Sequence, residues 1–387
     1  MRRLLPVLIA LVVSLLVLGA CDDSSDDADD EADESAESSV MVFNGEGNNL
    51  NVYATEPPFD AQQVFTNAED DPDGLDINAQ ICFFDDGTRM IAGEDTGQPD
   101  PPPGWGIFEV EGDAIGDLSA RKVGKLTPTY QDSDDNPENY GCGVLSDGRI
   151  VTTDIGDQVV GDGNGQLIIW FPPFDQGADG EVGAVSYCKL DVGIATAGGI
   201  AVDDDDNLYV ASARPPTGGV WRYTGPFPTD DTAEGGCGST DATGAPIAEN
   251  VTKELFIPAG ENGLGTPVAI AIADGGNFFV SSVFTGVINE YGPDGTFVRN
   301  ILSPPEGEEL GEETFSTGTP QGIGLGPDGT LYYADLGIIF EAGELPGPGP
   351  EGTVRRIVFA SGEPQPPEII ARGLAFPDGI GVRVTGG

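Results

Sequence analysis

Histidine is absent from the 387 residues, so the commonest neutral-pH proton carrier and the commonest transition-metal ligand are both missing. Ser-His-Asp, Cys-His and histidine-zinc chemistry are excluded with it. Bases are scarce too: 16 Lys and Arg face 66 Asp and Glu, a net charge of −50. A surface of that sign repels phosphate backbones, which argues against nucleic-acid binding. Uninterrupted helix-forming stretches are lacking, because 58 Gly and 31 Pro make up nearly a quarter of the chain. An all-helical protein is excluded. The longest apolar run, residues 4–18, is about 15 residues where a membrane span needs roughly 20.

What the N-terminus does contain is Arg2-Arg3, that apolar run, and then Leu18-Gly19-Ala20-Cys21. Residues 1–20 read as an export signal. The last four resemble a bacterial lipoprotein cleavage site, which implies a lipid on Cys21 and a membrane partner reached through it, at the cell surface or in the periplasm. Residues 22–39 are Asp, Glu, Ser and Ala alone, with ten acids and no base. Such a segment buries no apolar surface and reads as an extended, self-repelling linker. Without those ten acids and Arg2 and Arg3, 56 acids still face 14 bases, so the acidity belongs to residues 40–387 as well. That surface suits high salt, a calcium-rich exterior or a simple compositional bias.

Residues 40–387 repeat one pattern six times: an inner strand, a tight turn and a second strand. The inner strands align as Asn78-Ala-Gln-Ile-Cys-Phe83, Asn139-Tyr-Gly-Cys-Gly-Val144, Ala197-Gly-Gly-Ile-Ala-Val202, Pro267-Val-Ala-Ile-Ala-Ile272, Pro320-Gln-Gly-Ile-Gly-Leu325 and Pro377-Asp-Gly-Ile-Gly-Val382. The third place is small in five of the six, and the fourth and sixth are apolar or Cys. Turn pairs follow the first five: Asp86-Gly87, Asp147-Gly148, Asp206-Asn207, Gly276-Asn277 and Asp328-Gly329. Four short strands per unit, radially repeated, predict an all-β, six-bladed β-propeller. The sixth unit stops after one strand, and its missing strands are read at Val40-Met-Val-Phe43 and Leu50-Asn-Val-Tyr53. Completing the last blade with N-terminal strands hides two sheet edges.

The units Gly199-Ile-Ala-Val-Asp-Asp-Asp-Asp-Asn-Leu-Tyr-Val-Ala-Ser212 and Pro320-Gln-Gly-Ile-Gly-Leu-Gly-Pro-Asp-Gly-Thr-Leu-Tyr-Tyr-Ala-Asp335 resemble the six-bladed propellers of the senescence marker protein, gluconolactonase and luciferin-regenerating enzyme family. They are also similar to NHL repeats. The family resemblance implies a divalent cation, usually calcium, at one end of the channel, polarising a lactone carbonyl. On that resemblance Asp378, in Pro377-Asp378-Gly379, is an expected ligand, joined by Gln321 and Asn139. The family's first-blade Glu has no match at Asn78-Ala79-Gln80.

Topology adds candidates of its own. Inner strands begin where second strands end, so Glu94, Asp95, Asp154 and Asp335 are expected on the same face as those ligands. Oxygen donors gathered there from several blades suit calcium, with Asp154 and Asp335 supporting the metal and Glu94 or Asp95 as a base. The competing reading is that each terminal Asp caps a neighbouring turn. A Pro-rich loop ending at Trp105 reads as a channel lid that stacks on a ligand or as a rigid connector. Residues 203–206 lack the spacing of an EF-hand and read as a solvated turn. Cys188 and Cys237 are expected to pair, whereas Cys82 and Cys142, at places five and four, point to opposite faces and are expected to stay free. Two functions follow as expectations for a monomer: a calcium-dependent lactone or ester hydrolase, or a non-catalytic propeller binding a sugar, a protein or an envelope component.

Overall fold

A computed structural model describes residues 39–67, 76–95, 104–127, 139–155, 165–177, 183–214, 218–241, 244–340, 347–349 and 351–385. The expected export signal, Cys21 and linker lie outside them. Six blades make a β-propeller, five of them four-stranded and antiparallel and one, that of Asn139–Val144, extended to six strands by two short strands beyond its fourth, the first of them parallel to it. The inner strands are Asp76–Phe83, Asn139–Val144, Ala197–Val202, Pro267–Ile272, Pro320–Leu325 and Ile380–Thr385, and they number blades 1 to 6. Blade 6 runs outward from Ile380–Thr385 through Ser39–Glu46, Asn49–Ala54 and Ala61–Thr66, so N-terminal strands complete it. Phe43 lies opposite Gly381 and Val42 opposite Val382 in that closure.

Why the third place is small becomes plain in three dimensions. Each of the first five inner strands shifts register against its second strand around that place. The bulge presses the backbone onto the next blade. A Cβ added at Gly141 would lie 2.4 Å from Gly198 O, one at Gly322 2.6 Å from Asp378 O, and one at Gly379 1.4 Å from Ala79 O. Hydroxyls tie the same junctions: Thr153 Oγ1 accepts from Gly141 N–H and donates to Gly198 O in blade 3, and Ser281 Oγ accepts from Ala269 N–H and donates to Gln321 O in blade 5. The five turns use one hydrogen-bond pattern, with Gly87, Gly148, Asp206, Gly276 and Gly329 all at positive φ. Asp206 takes that conformation without being glycine, in the turn at residues 203–206 where Asp203 accepts from Asp205 N–H and Asn207 N–H.

The core lies between blades. Blade 5 Tyr332, Ala334 and Val354, for example, pack on blade 6 Val42, Tyr53 and Ile380. This stacking corrects the expectation for Cys82 and Cys142, which form a disulfide, as Cys188 and Cys237 do. Opposite faces of consecutive blades meet: place five of one blade faces place four of the next, as Gly381 meets Ile81 and Gly143 meets Ile200. Opposite orientation within a strand register is therefore what a bond between neighbouring blades requires.

Candidate functional site

Inner strands start, and second strands finish, at one end of the channel, here the upper end. A cavity of about 200 Å³ opens there. Its wall is apolar: Ile155, Val268, Val283, Leu336 and Ile338, with half-exposed Phe284 and Phe376 at the rim. Polar groups are few, namely Tyr140, Gln321, Thr196, Thr266 and Arg214. Second places of the inner-strand motif supply Tyr140, Gly198, Val268 and Gln321, because this place faces the mouth just above the bulge.

Tyr140 is the distinctive member. It is 4% exposed, and its hydroxyl has no hydrogen-bond partner among the described residues. Burial pushes the phenol well above its ordinary range, and the charge of Asp378 pushes in the same direction. The hydroxyl therefore stays protonated and is a standing donor, buried beside the cavity that Tyr140 lines. Leaving it unsatisfied costs about 1–3 kcal/mol, which an acceptor on a ligand recovers in part.

The expected site residues divide sharply. Gln321 lines the cavity. Asp378 is buried, and its Oδ1 accepts from Ala79 N–H at 2.9 Å, holding blade 6 to blade 1 where Ala79 adopts φ 66°. Asn139 is buried and donates to Gly104 O at 2.7 Å. Asp154 is buried opposite Asn139 in the strand register. Asp335 accepts from Thr319 N–H and Oγ1, Gly337 N–H, Thr353 Oγ1 and Arg355 Nη2. The capping reading holds for Asp335, whose oxygens are spent on its own blade.

Glu94 is fully buried and pairs with Lys122 at 2.8 Å and Lys125 at 3.9 Å, both on the outer strand of its blade. Its side chain passes beside Gly106, away from the mouth, so the geometry gives it an ion pair in place of the expected base role. Asp95 ends the same strand, and its side chain lies outside the described residues. Trp105 is not a lid: it sits 1% exposed in the third strand of blade 1, packed with Ile107, Trp170 and Phe174. The loop before it lies outside the described residues.

Among the described residues no three Asp, Glu or Cys side chains gather as a metal site would require. Of the residues expected from sequence, Asp335 and Glu94 are already neutralised by bases. What sequence reading missed is the apolar wall and the role of Tyr140. Aligning the second places of the six motifs would have found both.

No family model and no curated protein matches this chain. Solved structures do. A protein of unknown function from Bacteroides caccae is similar with TM-score 0.50 and 13% identity, covering 89% of this chain and 99% of that one. A nidogen/laminin complex gives 0.51 and 10%, covering 89% and 98%. A calcium-binding protein, regucalcin, from Agrobacterium tumefaciens gives 0.45 and 14%, covering 77% of each chain. Identities this low speak for the propeller fold alone.

Proposed function

We propose that this protein is an exported, lipid-anchored propeller that holds a small, mainly apolar molecule in the upper mouth of its channel. Tyr140 donates to an acceptor on that molecule, and Gln321 offers a second polar contact. One observation carries the reading: Tyr140, whose buried hydroxyl has no partner among the described residues, lines a cavity whose other walls are largely hydrocarbon. At about 200 Å³ the cavity is smaller than the roughly 300–1,000 Å³ of sites for drug-sized ligands, so the ligand is small. Export is supported by two disulfides as well as by the N-terminal signal, since such bonds persist in oxidising compartments.

A calcium-dependent lactone hydrolase fits less well, because Asp335 and Glu94 are committed to Arg355 and to Lys122 and Lys125. γ-Nonalactone separates the two readings, being a neutral probe with a carbonyl acceptor and an alkyl tail. Calorimetry should detect its binding, Tyr140→Phe should weaken that binding about tenfold, and the lactone should be recovered intact. Absence of binding sinks the proposal. Calcium-dependent turnover would replace it with the hydrolase.

A further inference from the structure

The opposite end of the channel has a different character. Each inner strand is the first strand of its sheet, so one backbone edge faces the axis. Gln80 crosses that space: its Nε2 donates to Ile200 O, and its Oε1 accepts from Ile200 N–H and Cys142 N–H. Its amide therefore stands two residues below Tyr140 and Gly198, at the level of a second, lower cavity that it lines. The lower cavity is about 290 Å³, and its lining comes from all six inner strands, places three to five in blade 1 and four to six in the others. Its side chains are aliphatic or Cys apart from Gln80, whose amide is already bonded. At its lip Val144, Val202, Ile272, Leu325 and Val382 remain half-buried.

Acids ring this funnel. Two to four residues beyond the lip lie exposed Asp85 and Asp86, Asp147, Asp204 and Asp205, Asp274, and Asp328, one turn from each of blades 1 to 5. At about 3.5 Å per residue they stand within reach of a charge held at the mouth, comparable with a Debye length of about 8 Å. Bases at this end are few and partly spent. Arg149 pairs with Asp147, and Arg383 is buried against Gly87 O and Asp113. Arg89 stacks on Phe84. The remaining field is negative over a low-dielectric opening, which concentrates cations and excludes anions.

We propose that the lower mouth binds a small organic cation with a short alkyl stem, the stem entering the aliphatic funnel and the head staying among the acidic turns. This inference is independent of the ligand proposed for the upper cavity, whose lining shares no residue with that of the lower one. Hexyltrimethylammonium is the probe, followed by calorimetry on the full chain. With each buried methylene worth about fourfold, it should bind at least about tenfold more tightly than tetramethylammonium. Heptanoate, with the same hexyl stem and the opposite charge, should bind at least about tenfold more weakly than the hexyl cation. Leu325→Arg, which places a fixed cation at the lip, should abolish binding; Ile272→Lys is the second variant should the first fail to fold. Neutralising Asp204, Asp205, Asp274 and Asp328 to Asn should weaken binding about three- to tenfold. Equal affinity for heptanoate, or hexyltrimethylammonium affinity unchanged in a folded lip variant, would overturn the proposal.

Discussion

The two ends of the axial channel are built from the same six strands, yet one is chemically varied and the other nearly uniform. At the upper end the second places hold Ala79, Tyr140, Gly198, Val268, Gln321 and Asp378. At the lower end the fourth places are Ile in five blades and Cys142 in the other. The difference follows from packing. Places three and five press against the next blade, where a Cβ at Gly379 or Gly381 would strike Ala79 or Ile81, and place four fills the space so defined. Among the second places, Tyr140, Gly198, Val268 and Gln321 line the upper opening, where side chains of varied chemistry fit, although Asp378 is held by the Ala79 N–H of the next blade and Gly198 lies close to Val268 O.

The sharpest way to break this comparison is to load a pinned place. Gly379→Val puts side-chain atoms into the Ala79 carbonyl and should prevent closure of the ring, read as loss of folded, soluble protein. A valine tolerated with an unchanged melting midpoint would mean the places are not pinned. Arg355→Ala comes next. It strands the buried Asp335 carboxylate and should cost about 3–5 kcal/mol in denaturant unfolding, whereas an Asp335 that ligated calcium would be protected by added calcium. Replacing Cys82 and Cys142 together by Ala removes a cross-blade bond spanning 60 residues and should cost about 2–4 kcal/mol under oxidising conditions.

Tyr140→Phe tests the unpinned end and should act with the opposite sign. Removing an unsatisfied buried hydroxyl should leave the free protein as stable or stabilise it by about 1 kcal/mol. Its pH dependence also has a definite sign. The folded phenol titrates above the ordinary value of 10, so above that pH the unfolded chain binds fewer protons, and stability falls as pH rises. The wild type should lose up to about 1.4 kcal/mol per pH unit through this group on the alkaline side, a limb that is shallower in the Phe variant. Identical alkaline limbs would show that Tyr140 is solvated. The smallest effect expected is that of calcium, which should move the wild-type melting midpoint by less than about 1 °C, because Asp335 is already committed to Arg355 and no three acids gather among the described residues.

Much of the architecture was legible because its signals are local. Turn pairs such as Asp86-Gly87 and Asp328-Gly329 specify hairpins within a few residues, and the inner strands observed at Asn139–Val144 and Pro320–Leu325 coincide with the motif as written. The unfinished sixth unit predicted the partnership of Ser39–Glu46 with Ile380–Thr385 across the whole chain. The site was less legible. Asp335 and Glu94 read alike as acids at the ends of second strands, yet one turns to Arg355 and the other to Lys122. Arg355 sits on the third strand of its blade and Lys122 on the fourth, and no short-range pattern ties them to the acids.

The six-fold repeat, the closure by N-terminal strands and the overall acidity were determined by the order of residues alone, since periodicity, turn chemistry and charge are properties of neighbours along the chain. Which carboxylates keep oxygens available, which cysteines meet and which tyrosine lines an opening were decided only when blade stacked on blade. Stacking sets opposite sheet faces against each other, and a side chain's partner across that contact is separated from it by about 60 residues of chain.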